Sequence, residues 1–269
     1  MYNHPAYGPS IPESGWVPSP GYLLRRNRIL KLVAAMSPCK ILEIGCGAGG
    51  LIHELSRMGF RCTALESSPQ ALQIARRLNA QNDAQIRDKP DPAWYHDFDC
   101  LMAFEVLEHI EQDREALLQW RNWLKPGGTL LLSVPAHMTQ WSASDEWAGH
   151  YRRYEKPDLT SLVEECGFTI EHFEAYGSPL ANCIDPIRAR VHARELRKQR
   201  QDGGRDKAAN SARSGVERPM EIRLYPYLCS IPGRIIMNSA FTAQAFLGKM
   251  GIGKSYLLRA RLHADERGQ

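Results

Sequence analysis

The sequence predicts an α/β protein built on a doubly wound, largely parallel sheet. Two observations carry this reading. Short apolar runs of strand length alternate with segments of helical period along most of the chain. The first such run is followed at once by a glycine cluster that opens a helix, "KILEIGCGAGGLIHEL" (residues 40–55).

The elements follow in order. Residues 1–21 are rich in Pro and Gly and read as an extended arm; "YLLRRNRILKLVAAM" (22–36) has helical spacing. "KILEIG" is a strand and "GLIHELSRMG" a helix closed by Gly59. "FRCTALE" (60–66) is a second strand, then the helix "SPQALQIARRLNA", a short third strand "AQIRD" (84–88) and a fourth, "FDCLMAF" (98–104). A single helix is expected over "EVLEHIEQDREALLQWRNWL", then a turn at "KPGG" and a fifth strand, "TLLLSVP" (129–135). The helix "KPDLTSLVEECG", the strand "FTIEHFEAYG" and a seventh strand, "SYLLRARLH" (255–263), complete the set.

Between the last two strands, residues 179–254 are too long for a simple connection. They hold a basic helical run, "DPIRARVHARELRKQRQ", a polar stretch at about 201–218 that reads as disordered, and an apolar segment. The expected organisation is an N-terminal arm and helix (1–37), a core (38–178), the insertion (179–254), and a final strand and tail (255–269).

With 269 residues, 43% of them hydrophobic, the chain can bury one sizeable core. No apolar run is long enough to span a bilayer, and the first residues lack a secretory pattern. The seven cysteines are scattered without a Cys-x-x-Cys pair and read as reduced, mostly buried thiols of a cytoplasmic protein. Charge is uneven: residues 1–186 carry 17 Lys/Arg against 23 Asp/Glu, residues 187–269 carry 17 against 7. A basic C-terminal region suits an anionic partner, including peripheral contact with the inner face of a membrane. No DNA- or RNA-binding module is visible.

The glycine loop has two registers. Gly45, Gly47 and Gly50 match a dinucleotide loop, G-x-G-x-x-G. Gly45, Gly47 and Gly49 behind Glu43 instead suit an amino acid attached to a nucleoside. Glu66 ends the second strand, where a carboxylate can accept both ribose hydroxyls, and Asp88 follows the third, placed for an adenine amino group. With "LEIGCGAG", "ALESSPQAL", "FDCLMAFEVLEHI" and "LKPGGTLLLSVP" in this order, residues 38–178 and the last strand resemble the class I S-adenosylmethionine-dependent methyltransferases. "EVLEH" also resembles the ubiquinone-pathway O-methyltransferases. The resemblance implies a Rossmann-like seven-stranded sheet and S-adenosyl-L-methionine held by Glu43, Gly45, Cys46, Gly47, Gly49, Glu66, Ser67, Asp88, Phe104 and Glu105. By analogy, Trp16 would fold over the cofactor as a lid.

Methyl transfer to a hydroxyl needs alignment and a base or metal. Two stretches offer them: "EVLEH", with Glu105, Glu108 and His109 at i, i+3 and i+4, and "AHMTQWSASDEWAGHYRRY" after the fifth strand. Glu-x-x-Glu-His with a later His also resembles the metal motif of small-RNA 2′-O-methyltransferases. Carried over, Glu105, Glu108, His109 and His150 would hold Mg²⁺, Mn²⁺ or Zn²⁺. Otherwise His109 or His150 is the catalytic base, or Glu108 and His109 brace the fold. His137, Trp141, Asp145, Arg152 and Arg153 are the candidate acceptor contacts. The expected acceptor is a small molecule or a lipid-linked sugar with a free hydroxyl. Two alternatives remain: a nicotinamide oxidoreductase, which lacks a Tyr-x-x-x-Lys signature here, and a non-catalytic cofactor-binding protein.

Overall fold

A computed structural model describes residues 1–201, 210 and 219–264. The stretch expected to be disordered (about 201–218) lies almost wholly outside the described residues, as does the end of the tail.

Seven strands form the central sheet: β3 (Lys40–Ile44), β4 (Arg61–Leu65), β5 (Gln85–Arg87), β6 (Phe98–Phe104), β7 (Leu124–Pro135), β8 (Phe168–Tyr176) and β9 (Ser255–Leu262). Their spatial order is β5-β4-β3-β6-β7-β9-β8, with β9 antiparallel to both neighbours and the others parallel. This is the expected Rossmann-like seven-stranded sheet. The middle strands read as continuous apolar runs because helices cover both faces. One layer of core gathers Leu42, Leu101, Leu130 and Leu258; the other gathers Ile41, Cys100, Leu131 and Leu257. The chain runs outward from β3 to β5, then returns to place β6 on the other side of β3. A crevice therefore opens at the carboxyl ends of β3 and β6.

Three local expectations need correction. Residues 1–21 are not an extended arm. β1 (Tyr2–His4) and β2 (Gly8–Ser10) pair as a hairpin, and Tyr7, Ile11, Trp16 and Val17 are buried. Gly8, at φ +76°, lies so close to Glu54 that a Cβ would meet its Oε1 at 2.3 Å. Second, "KPGG" sits within β7 as a bulge, since Phe98 pairs with Leu124 but Cys100 pairs with Thr129.

Third, no single helix runs from Glu105 to Leu124. Glu105 has φ +57°, a left-handed conformation that cannot start a right-handed helix. A short 3₁₀ turn, Leu107–His109, follows, and α4 begins only at Asp113 (Asp113–Trp123).

The remaining helices are α1 (Pro20–Val33), α2 (Gly50–Arg57), α3 (Pro69–Leu78), α5 (Ala143–Ala148), α6 (Lys156–Glu165), α7 (Leu180–Gln201), α8 (Pro219–Cys229) and α9 (Ile231–Lys249). Ser19 caps α1, with Pro20 in its first turn. Two forked ion pairs fix α1 against the sheet layer: Arg26 with Glu54 of α2, and Arg28 with Glu174 of β8. The described parts of the insertion are mainly helical, as expected, and α9 packs on α1 and β8. All seven cysteines are free; Cys62, Cys100 and Cys166 are buried, whereas Cys183 is exposed.

Candidate active site

A cavity of about 570 Å³ occupies the crevice. Its floor is the loop after β3. Gly45, Gly47 and Gly49 all have positive φ (66°, 55° and 71°), which lets the chain turn tightly into α2. A Cβ on Gly45 would meet Val106 Cγ2 at 2.5 Å, and one on Gly50 would meet Trp16 at 2.7 Å. The loop is thus a cradle that only glycine can form. Cys46 lines the cavity beside it.

Two carboxylates flank this loop. Glu66 accepts the Gly47 N–H on one oxygen and the Ser68 N–H on the other, each at 2.8 Å. Each oxygen retains a lone pair that could accept a ribose hydroxyl. Burial raises its pKa, against the opposing effect of those backbone N–H groups. Glu43 lies one residue before the end of β3, and its Oε2 is buried without a hydrogen-bond partner. Burial pushes its carboxyl up to about 8; nearby Arg25 opposes this and Glu66 adds to it. An orphaned carboxyl above a glycine cradle fits the ammonium group of a bound amino acid.

Phe104 and Glu105 line the opposite wall. Glu105 accepts from Ser133 Oγ at 3.0 Å and from Tyr176 Oη at 2.8 Å. Arg25 of α1 completes this wall, close to Tyr176 and Glu105 and over the Tyr22 ring at 5.9 Å. Neither Arg25 nor Tyr176 was singled out from sequence. The only signal for Arg25 was "RRNR", three arginines in one helical turn that point to three different places. Trp16 is buried, edge-on to Tyr22 at 5.7 Å, and lines the same end of the cavity. Gly49, Glu66, Ser67 and Asp88 lie outside the cavity lining; Ser67 and Asp88 are exposed, and Glu66 is buried behind the loop.

On the acceptor side, Glu108, His109 and His150 come together, with one ligand atom from each within 4.8 Å of the others. Glu108 is fully buried, and neither of its oxygens has a hydrogen-bond partner. Burial and the neighbouring Glu105 raise its pKa well above the ordinary range. His109 Nδ1 is also buried without a partner, and burial, reinforced by His150, lowers its pKa to about 3. A neutral imidazole keeps its lone pair for a ligand. His150 turns Nδ1 to Asp145 Oδ1 at 3.0 Å and Nε2 toward Glu108. Unsatisfied buried carboxylate and imidazole atoms facing one another are costly unless something bridges them. The donor set therefore fits a divalent cation. Glu105 is not part of it, correcting the expected four-residue set, because its left-handed backbone directs its side chain to Ser133 and Tyr176.

Of the remaining candidates of the loop after β7, Asp145 and Arg153 line the cavity, and His137, Trp141 and Arg152 do not. Asp145 belongs to a capping box with Ser142 at the start of α5. Its Oδ1 also accepts from Arg153 Nε at 2.8 Å. Burial alone would raise Asp145, but His150 and Arg153 outweigh it and hold the carboxyl at about 2. Arg153 is thus committed to Asp145, and Arg152 to Asp113 and the Glu111 carbonyl. Arg153 nevertheless lines the cavity, whereas Arg152 does not. His137 faces Glu155 outside the cavity, and Trp141 is exposed there. Sequence reasoning missed the outer chamber wall, where α7 and α8 contribute Asp185, Arg188, His192, Glu195 and Glu221.

A family model for a methyltransferase domain matches residues 22–173, more than half of the chain. The chain belongs to the class I S-adenosylmethionine-dependent methyltransferases.

Among curated relatives, the methyltransferase is 36% identical over 105 residues to a mitochondrial ubiquinone biosynthesis O-methyltransferase of Schizosaccharomyces pombe. That match covers 35% of this chain and 37% of the relative. It is 27% identical over 173 residues to a ubiquinone biosynthesis O-methyltransferase of Xanthomonas axonopodis pv. citri, covering 56% of this chain and 72% of the relative. Matches to two strains of Xanthomonas campestris pv. campestris cover 44% of the relatives' length. A solved phosphoethanolamine N-methyltransferase 2 of Haemonchus contortus, in complex with S-adenosyl-L-methionine, superposes with a TM-score of 0.53 at 17% identity. It covers 89% of this chain and 52% of that one. That likeness concerns the fold alone.

Proposed function

We propose that the methyltransferase moves a methyl group from S-adenosyl-L-methionine to a hydroxyl of a small molecule or lipid-linked sugar that carries a second oxygen beside it. One observation carries the reading: the cluster of Glu108 and His109, whose buried polar atoms lack partners, with His150 opens onto the same cavity as the glycine cradle. The similarity to ubiquinone O-methyltransferases supports oxygen as the acceptor atom.

Glu43, the Gly45–Gly49 loop, Glu66 and Arg25 would hold the cofactor. Glu43 would meet its ammonium, Arg25 its carboxylate, and Glu66 its ribose. Glu108, His109 and His150 would hold Mg²⁺, Mn²⁺ or Zn²⁺. Such an ion supplies a Lewis acid that lowers the pKa of a bound hydroxyl and fixes two acceptor oxygens. Asp145 orients His150 by accepting from Nδ1, which leaves Nε2 facing the chamber. Trp16 and Phe104, which line the cavity, would help to exclude water from the transfer path.

A second reading rests on the same Asp145–His150 pair. An imidazole oriented by a buried carboxylate can also serve as general base. Turnover after chelation separates the two. With candidate catechols and sugar diols as acceptors, activity lost in EDTA and restored by Mg²⁺, Mn²⁺ or Zn²⁺ supports the ion. Full activity in EDTA that vanishes in His150→Ala supports the base.

A further inference from the structure

The helices α8 and α9 and the turn after them leave an apolar face uncovered. Between residues 220 and 252, nine large hydrophobic side chains are exposed, more than in the rest of the described chain put together. Tyr227 and Ile231 are each 73% exposed, Phe246 68% and Ile235 61%. Ile231, Ile235 and Phe246 fall on one side of α9, whose opposite side buries Met237, Ala240, Gln244 and Gly248. A contiguous apolar face of this kind marks an interaction surface.

Its charge says what would cover it. From residue 222 to residue 264 the chain contains no Asp or Glu, while Arg223, Arg234 and Lys249 are exposed among the apolar side chains. A second copy docking through the same segment would bring two cationic faces together, with no carboxylate in residues 222–264 to offset them. A surface that is apolar inside and anionic at its rim matches both features. No described helix is long and apolar enough to cross a membrane, so contact would be in the plane of the interface. The same helix walls the reaction chamber, since Met220 and Glu221 of α8 line the cavity and Glu221 pairs with Arg188 of α7.

We propose that the exposed face of α8 and α9 docks on an anionic lipid surface, seating Ile231, Ile235, Phe246 and Tyr227 among the acyl chains and Arg223, Arg234 and Lys249 at the headgroups. Docking brings the α8 wall of the cavity to the bilayer, so an acceptor anchored in lipid reaches the chamber without leaving the membrane. The surface is independent of the metal and of the acceptor's identity.

The test is co-sedimentation of the full chain with phosphatidylcholine vesicles, with and without phosphatidylglycerol. Binding is expected with the anionic vesicles at low salt, weakening as salt rises. The double variant Ile235→Glu, Phe246→Glu should lower partitioning at least roughly tenfold. Its melting temperature and S-adenosylhomocysteine affinity should stay unchanged, because both positions face solvent. Replacing Arg223, Arg234 and Lys249 by Gln should remove the preference for anionic vesicles. Absence of binding at low salt, or equal binding by the double variant, overturns the proposal. So does a dimer in sedimentation equilibrium that the double variant dissolves while vesicles bind neither form.

Discussion

Glu108 Oε1 and His150 Nε2 stand 3.9 Å apart across the chamber wall, and among the described residues no group hydrogen-bonds to the carboxylate. The gap is too long for a hydrogen bond and short enough for one cation to touch both groups. With His109 the cluster should act as a unit, so losses on mutation should not add. His109→Ala and His150→Ala should each cost about as much turnover as the double mutant, while cofactor affinity stays nearly intact. Metal analysis and single-turnover rates check this; additive losses would mean separate roles. Glu108→Leu should stabilise the metal-free protein, since it removes a buried acid that lacks a partner. A lower melting temperature would show that the carboxyl is braced in some other way.

Glu66 should dominate recognition of the ribose. Its carboxylate already orders Gly47 and Ser68, so Glu66→Ala removes hydrogen bonds within the loop as well as those to the ligand. Charge-assisted hydrogen bonds contribute about 1.5–3 kcal/mol each, so S-adenosylhomocysteine affinity should fall at least roughly tenfold. Calorimetry decides; unchanged affinity removes the assignment.

Glu43 should couple cofactor binding to pH. Its folded pKa of about 8 lies above the ordinary 4.5. The neutral acid is therefore favoured by folding. Its stabilising contribution is complete below about pH 4.5 and is lost as pH rises through about 8, at up to about 1.4 kcal/mol per unit. Glu43→Gln keeps the neutral shape, so it should raise the melting temperature of the cofactor-free protein more at pH 8.5 than at pH 6. The cofactor's ammonium reverses the preference, so binding at pH 7 should release a proton. Calorimetry in two buffers of different ionisation heat measures this, and proton uptake would refute the role.

Gly45→Ala should be costly at two levels. The position has φ +66°, and the added Cβ would press on Val106, two residues before Glu108. Strain of this kind costs about 1–3 kcal/mol. Melting temperature and cofactor affinity should both fall, whereas Gly127→Ala should lower melting alone. Gly127 also has positive φ, but nothing lies within 4 Å of its Cβ position and it is far from the cavity in sequence and strand position.

The seven strands, their order of appearance, the glycine cradle and its two flanking carboxylates were all legible in the sequence. Each rests on local information: apolar runs that need burial on both faces, glycines that alone tolerate positive φ, and acids at strand ends. The cluster of Glu108, His109 and His150 was also anticipated, although its supposed helix was not there. What tertiary structure decided was where side chains of similar type turn. Arg152 and Arg153 look alike beside an acceptor loop, yet both are committed to buried or half-buried acids. Arg25, Arg26 and Arg28 share one turn of α1, yet Arg26 is paired with Glu54 and Arg28 with Glu174, while Arg25 lines the cavity beside Tyr176 and Glu105. Glu105 left the metal cluster through a single left-handed backbone step, and the first 21 residues folded down because Trp16 fits against Gly50. These outcomes depend on contacts between residues far apart in the chain, and no local period or spacing encodes them.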